Sequence, residues 1–235
     1  TYRKRALNYR TIYDTSIGFA RPRYSDGSFK KEFDVLQTYG EGFIEGNSWN
    51  FSFHVPHDVF GMIDLMGGEG TFVQKLDELF SMHLPEKYYE HNEDITEECL
   101  VGGYVHGNEP SHHVPYLYAW TSQPWKSQYW LRDINGLGGN DDCGQMSAWY
   151  LFSVMGFYPV CPGTDQYVLG APYLPYLKMT LPNGKTLNDY AGIRFQAAIL
   201  PGNDPSKIHW IGFNVGVSDN KESMDLIDPE SGNGA

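Results

Sequence analysis

Apolar residues recur at helical spacing through the first two thirds of the chain. Tyr2, Ala6, Tyr9 and Tyr13 fall on one face and read as the end of a helix that began earlier. Helical pattern resumes at Asn47, where Trp49, Phe51 and Phe53 crowd together. Asp58 is placed to cap a helix whose Val59, Met62, Ile63 and Met66 share a face and which Gly67-Gly68 stops. Thr71 is the expected cap of the next helix, with Phe72, Leu76, Leu79 and Phe80 as its stripe. A helical segment is expected from Val114 to Leu131, restarted at Trp125 by Pro124, and another from Met146 to Met155. After Gly156 the period changes. Tyr167-Val168-Leu169, Leu177 to Leu181 and Ile208 to Ile211 read as short strands, and Pro182-Asn183-Gly184-Lys185 as a turn.

The pattern predicts a mainly α chain: antiparallel helix pairs over residues 1–164, part of an α-toroid, then a β-rich segment over 165–235 with a frayed acidic tail from Ser218. Residues 14–43 form a long polar connection, and 83–95 an acidic one. An ordered connection of the first kind inside a compact domain is more often functional than idle. A toroid of helix pairs gathers loop residues at one mouth, where a site forms.

Composition narrows the function. The 235 residues carry 17 basic and 29 acidic side chains, a net charge of −12, which is the wrong sign for a protein that grips phosphate backbones. No apolar run is long enough to span a membrane. Cys99, Cys143 and Cys161 make no paired motif, so neither a disulfide scaffold nor a cysteine zinc site is expected. Thr1 is not a start methionine, and the chain reads as cut from something longer or processed. The aromatic fraction of 15% suits a carbohydrate cleft, and equally an aromatic core.

Three polar clusters stand in aromatic surroundings. The first is Glu45-Gly46-Asn47-Ser48-Trp49, followed by His54-Val55-Pro56-His57-Asp58. A carboxylate beside glycine and tryptophan is open to close backbone approach and to apolar surface that raises its pKa, the requirement for a general acid near neutral pH. A helix-terminal glutamate is the plainer reading. The second runs from His106 to His113 through Gly107-Asn108-Glu109-Pro110-Ser111-His112. Its histidines lack the spacing of a zinc helix, whereas Asn108, Glu109 and backbone carbonyls suit a hard cation such as calcium. A capped helix start is the alternative. The third is Gly138-Gly139-Asn140-Asp141-Asp142-Cys143-Gly144-Gln145. Adjacent carboxylates on a glycine-flanked loop repel, and N-capping explains one aspartate but not the whole cluster. Carboxylates on separate loops, amides for hydroxyls and aromatic rings for sugar faces together describe an inverting glycosidase, whose acid and base stand about 6.5–9.5 Å apart around a water.

The stretches Gly42 to Trp49, Phe53 to Val59, Gly61 to Gly68, His106 to His113, Gln123-Pro124-Trp125 and Gly139 to Tyr158 resemble glycoside hydrolase family 92, the calcium-dependent exo-acting α-mannosidases. The resemblance runs from residue 2 to about residue 181 and fades beyond. It implies an (α/α)₆ barrel catalytic domain, of which this chain is similar to the second half. An N-terminal β-sandwich and the first half of the barrel would lie outside this chain. It implies removal of terminal α-linked mannose from glycans with inversion. By position, Glu45 matches the general acid and Asp142 the general base, with Asn140 assisting the base or the cation. Asn108 and Glu109 match the stretch lining the sugar and calcium, and Trp49, His57, Asp58, His112 and Asp141 are the candidate substrate contacts. Such enzymes are usually periplasmic or secreted. A noncatalytic carbohydrate-binding fragment is the alternative. The link from Trp130 to Gly139 is several residues shorter than the family pattern leads one to expect.

Overall fold

The computed structural model describes residues 1–92, 95–133, 139–164, 166–170, 172–173, 176–180, 182, 184 and 186–190. The chain divides into two compact units, Thr1–Gly170 and Ala171–Ala235. The first is mainly helical and holds α1 (Tyr2–Arg5), α2 (Tyr9–Ile12), α3 (Ser48–Ser52), α4 (Val59–Leu65), α5 (Glu69–Ser81), α6 (Trp125–Asp133) and α7 (Gln145–Met155). Three two-residue antiparallel ladders punctuate it: β1 (Tyr13–Asp14) with β2 (Phe19–Ala20), β3 (Leu100–Val101) with β4 (Tyr104–Val105), and β5 (Phe157–Tyr158) with β6 (Val168–Leu169). In the second unit, β7 (Tyr176–Thr180) pairs with β8 (Thr186–Tyr190), Thr180 opposite Thr186. The strand expected at 208–211 lies outside the described residues, as does the stretch 134–138 of the short link.

The helix stripes explain the core. On α5, Phe72, Val73, Leu76, Leu79 and Phe80 are buried, recurring one turn apart, while Gln74 and Glu78 bond to each other on the outer face. On α4 the buried set is Val59, Gly61, Met62 and Ile63. These faces meet Phe53, Tyr104, Tyr116, Leu117, Tyr118 and Trp149 in one cluster. Each fully buried aliphatic or aromatic side chain contributes roughly 1.5–3 kcal/mol. Two of the buried aromatics have their polar ends bonded inside: the Tyr116 hydroxyl meets Ser153 Oγ at 2.6 Å, and Trp149 Nε1 donates to the His112 carbonyl at 3.0 Å.

Several boundaries differ from the sequence pattern. The opening helix is two short α turns joined by a 3-10 turn at Ala6–Asn8, and Tyr2 is exposed rather than packed with Tyr13. The cap of α5 is Gly68, at φ +100°, not Thr71, because Gly67-Gly68 turns the chain directly into the helix. The stretch before Pro124 is a 3-10 helix, Val114–Trp120, with Pro115 at its start. Residues 14–43 are held by Arg21, which donates to the carbonyls of Lys30 and Lys31 and pairs with Asp14 at 3.0 Å.

Candidate active site

One glycine contact brings distant loops together, and a second packs a loop against its own helix. Gly139 sits at φ +101°, and a Cβ there would lie 2.7 Å from Gly107 Cα and 3.0 Å from Cys99 Sγ. Only a residue without a side chain lets the 139–142 loop lie against the 106–109 loop. Gly46 lacks room as well, since a Cβ would meet the Phe51 ring at 2.8 Å. That close packing sets Glu45 at the edge of α3. Asn47 then caps α3, accepting from the Asn50 amide at 3.0 Å and donating to the Leu36 carbonyl at 3.2 Å.

The outcome is a cleft of about 310 Å³ lined by Glu45, Thr96, Cys99, Gly107, Asn108, Glu109, Gly139, Asn140 and Asp142. Five residues singled out from the sequence, one or two from each polar cluster, therefore share one cavity: Glu45, Asn108, Glu109, Asn140 and Asp142. Among the described residues, the non-glycine positions with positive φ are Glu45 at +60°, Asp142 at +33° and Cys143 at +60°. Left-handed backbone at a non-glycine residue costs of order 1–3 kcal/mol and persists where surrounding structure over-determines it, commonly at functional sites. Both candidate catalytic carboxylates carry that conformation.

The remaining candidates sit elsewhere. Asp141 accepts from the Ser147 amide at 2.8 Å and the Ser147 hydroxyl at 3.1 Å, so it satisfies a first-turn amide of α7, while its neighbour Asp142 lines the cleft. Asp58 caps α4 through the Gly61 amide at 3.1 Å and accepts from the Tyr9 hydroxyl at 2.6 Å. Burial works to raise its carboxyl, but the bonds from Tyr9, Gly61 and Arg10 outweigh it and hold the group low. His57 bonds the Ala6 carbonyl at 2.8 Å. Asp58 and His57 thus tie the N-terminal turns to α4. The Trp49 ring packs on Phe19 at 4.7 Å, on the side of α5 where Lys75 Nζ lies over the Phe19 ring. His112 is buried behind the cleft against Trp149 and His106.

The histidines of the second cluster are core groups. Burial pushes the His106 imidazole down to about 3, with His112 nearby adding to the effect. Burial likewise lowers His113 to about 4, despite its 2.8 Å bond to the Phe53 carbonyl. Both are neutral at pH 7 and unsuited to supplying charge in the cleft. Thr96, Cys99 and Gly107 line the cleft without having been singled out. Gly139 and Gly107 carried a signal in their glycine-rich loops, whereas Thr96 and Cys99, on the turn that follows the acidic connection, reach the site only through long-range packing.

The donor set fits a hard cation. Three carboxylates and two amides face a polar cleft, oxygen ligands of the kind calcium takes in sets of six to eight. Among the described residues, no three His, Cys, Asp or Glu side chains gather closely enough to hold an ion by themselves. An ion here would complete its shell with amide or backbone carbonyls, water and substrate hydroxyls.

Comparison with known proteins places the chain. The model of the glycosyl hydrolase family 92 catalytic domain matches residues 1–199. A family GH92 alpha-mannosidase from Bacteroides thetaiotaomicron is 40% identical, superposes with a TM-score of 0.69, and is matched over 78% of this chain and 25% of its own. A family GH92 inverting mannosidase from the same species is 36% identical at a TM-score of 0.68, over 83% of this chain and 28% of its own. A secreted glycosidase of Arthroderma benhamiae, described as uncharacterized, is 29% identical in an alignment that covers 83% of this chain and 26% of that protein. The chain spans about a quarter of the length of these relatives. With its polar cleft drawn from three separated motifs and its length matched from residue 1 to 199, the chain belongs to glycosyl hydrolase family 92.

Proposed function

We propose that this chain is the part of an α-mannosidase catalytic domain that carries the acid and the base, acting on terminal α-linked mannose with inversion and with calcium in the cleft. Its helices are read as part of an (α/α)₆ barrel, completed by regions its relatives possess outside the matched quarter. The observation that carries the reading is the meeting of Glu45 and Asp142 in one cleft, each in left-handed backbone and each from a different loop.

In this reading Glu45 donates its proton to the glycosidic oxygen as the bond to the leaving sugar breaks. Asp142 takes a proton from a water approaching the opposite face of the ring. Asn140, two residues before Asp142 on the same cleft wall, orients that water or a sugar hydroxyl. Asn108 and Glu109 would hold the cation. When bound, it would supply Lewis-acid polarisation and a template for two vicinal hydroxyls of the mannose. The mannoimidazole complex known for one of the related α-mannosidases supports a mannose-shaped ligand. The related secreted glycosidase supports an extracellular or periplasmic setting, and no helix among the described residues is long and apolar enough to cross a membrane.

The test is hydrolysis of an α-1,2-linked mannobiose, with the first-formed anomer read by NMR, in calcium and in EDTA. Release of β-mannose that Glu45→Gln and Asp142→Asn each lower at least a hundredfold supports the reading. First-formed α-mannose, or turnover unchanged in both variants, contradicts it. A second reading, sugar binding without turnover, is favoured by the chain's quarter share of its relatives' length. Saturable mannose binding with no hydrolysis by this chain would support it.

A further inference from the structure

Asn108 differs from the other polar residues lining the cleft. It is 5% exposed, while Glu45, Glu109, Asn140 and Asp142 are exposed. Its Nδ2 donates to the Glu45 backbone carbonyl at 2.8 Å and reaches Glu45 Oε2 at 3.5 Å. A carbonyl accepts and never donates, so the amide orientation is fixed: nitrogen toward Glu45, oxygen outside that bond. Glu45 is one of the residues held at positive φ. The chain after it is pinned by the tight fit of Gly46 on Phe51 and by the Asn47 cap. The chain before it is pinned by Phe43 stacked on Phe51 at 5.7 Å. The Asn108 bond crosses from the second cluster to this junction, 63 residues away in sequence.

We propose that Asn108 is a positioning residue: its amide N–H latches the Glu45 backbone in the left-handed conformation that aims the carboxyl into the cleft, while its amide oxygen stays available to the cation. One side chain thus couples the cation locus to the acid. The latch is a statement about this chain's geometry. Only its consequence for proton donation rests on the reading of Glu45 as the general acid.

Two substitutions separate the roles. Asn108→Asp keeps the shape and offers a better oxygen for a hard cation, but it cannot donate to the Glu45 carbonyl. Asn108→Ala removes both. In the parent 235-residue chain, NMR detects the latch directly as a scalar coupling across the hydrogen bond from Asn108 Nδ2 to the Glu45 carbonyl carbon. In Asn108→Asp, the Glu45 φ obtained from NMR coupling constants leaves the left-handed range. Amide exchange at Gly46 speeds up at least tenfold, while calcium affinity by titration is kept or increased. In Asn108→Ala the Glu45 change recurs and calcium affinity falls at least tenfold. No trans-bond coupling in the parent chain, or an unmoved Glu45 in the two variants, overturns the proposal. These readouts need no turnover. Failure of the general-acid reading would leave the Glu45 backbone response in place, whereas failure of the latch would remove it.

Discussion

Among the described residues, the non-glycine positions in left-handed backbone, Glu45, Asp142 and Cys143, mark where the chain stores strain, and two of them line the cleft. Their neighbours divide the labour. Asp141 supports α7, and Asp142 faces the cavity, so the adjacent aspartates have separate tasks rather than a shared charge. Asp141→Ala therefore removes a bond to a first-turn amide of α7 and costs about 1 kcal/mol. A denaturant melt is expected to show that loss, with the cation titration of the cleft unchanged. Gly139→Ala is expected to be worse. Its Cβ would overlap Gly107 and Cys99 in a backbone conformation alanine resists. The melt midpoint should drop further than for Asp141→Ala, and the cation titration should change with it, since the two loops would separate. For the proposed acid, Glu45→Gln in an active enzyme should lower turnover of mannobiose by about 10²–10⁴. Turnover of an aryl mannoside with a good leaving group, which needs little protonation, should suffer far less.

At the scale of elements, the apolar stripes of α4 and α5 are plain in the sequence, and the structure buries Met62, Leu76 and Phe80 on them. Leu76→Ala should cost about 2–5 kcal/mol, read as a lowered urea midpoint. The capping of α4 by Asp58 was equally legible, because an acidic residue before an apolar helix has one dominant local use. What local pattern could not supply was every interaction set by distant chain. Asp58 also meets Tyr9, His57 meets Ala6, and Trp49 packs on Phe19, partners that no local pattern pointed to. The histidine cluster shows the same limit. Three histidines near an asparagine and a glutamate resemble a binding site in sequence, yet His106, His112 and His113 are buried and neutral. Their folded pKa values lie below the unfolded value of 6.5. The unfolded chain therefore binds more protons as pH falls below that value, and stability declines from pH 6.5 toward about 4. Asp14 and Asp58, whose carboxyls are held low, lose their contribution only below the ordinary carboxylate range. A His113→Gln variant keeps a donor for the Phe53 carbonyl and removes one titrating group. Its urea midpoint should fall less steeply between pH 6.5 and 4 than that of the parent.

For the whole molecule, the matched family, the mainly helical unit and the convergence of three motifs agree. The three clusters could be found in the sequence because each combines glycine, amide and carboxylate in an order that packing alone does not demand. Their meeting in space could not, because it depends on Gly139 lying against Gly107 across more than thirty residues. Thr96 and Cys99 enter the cleft by the same long-range route and carry no local mark. The chain covers about a quarter of its relatives, and Tyr150 and Leu151 on α7 point outward. In the proposed function this cleft is one wall of a larger sugar site. On the proposed function this wall binds a mannose-like ligand together with calcium, which a titration of the isotope-labelled 235-residue chain with mannoimidazole decides. In calcium, saturable NMR shifts are predicted at the amides of Glu45, Asn108, Asn140 and Asp142, reversed by EDTA. Shifts confined to His57 and Asp58, or no saturable shift with calcium present, would contradict it.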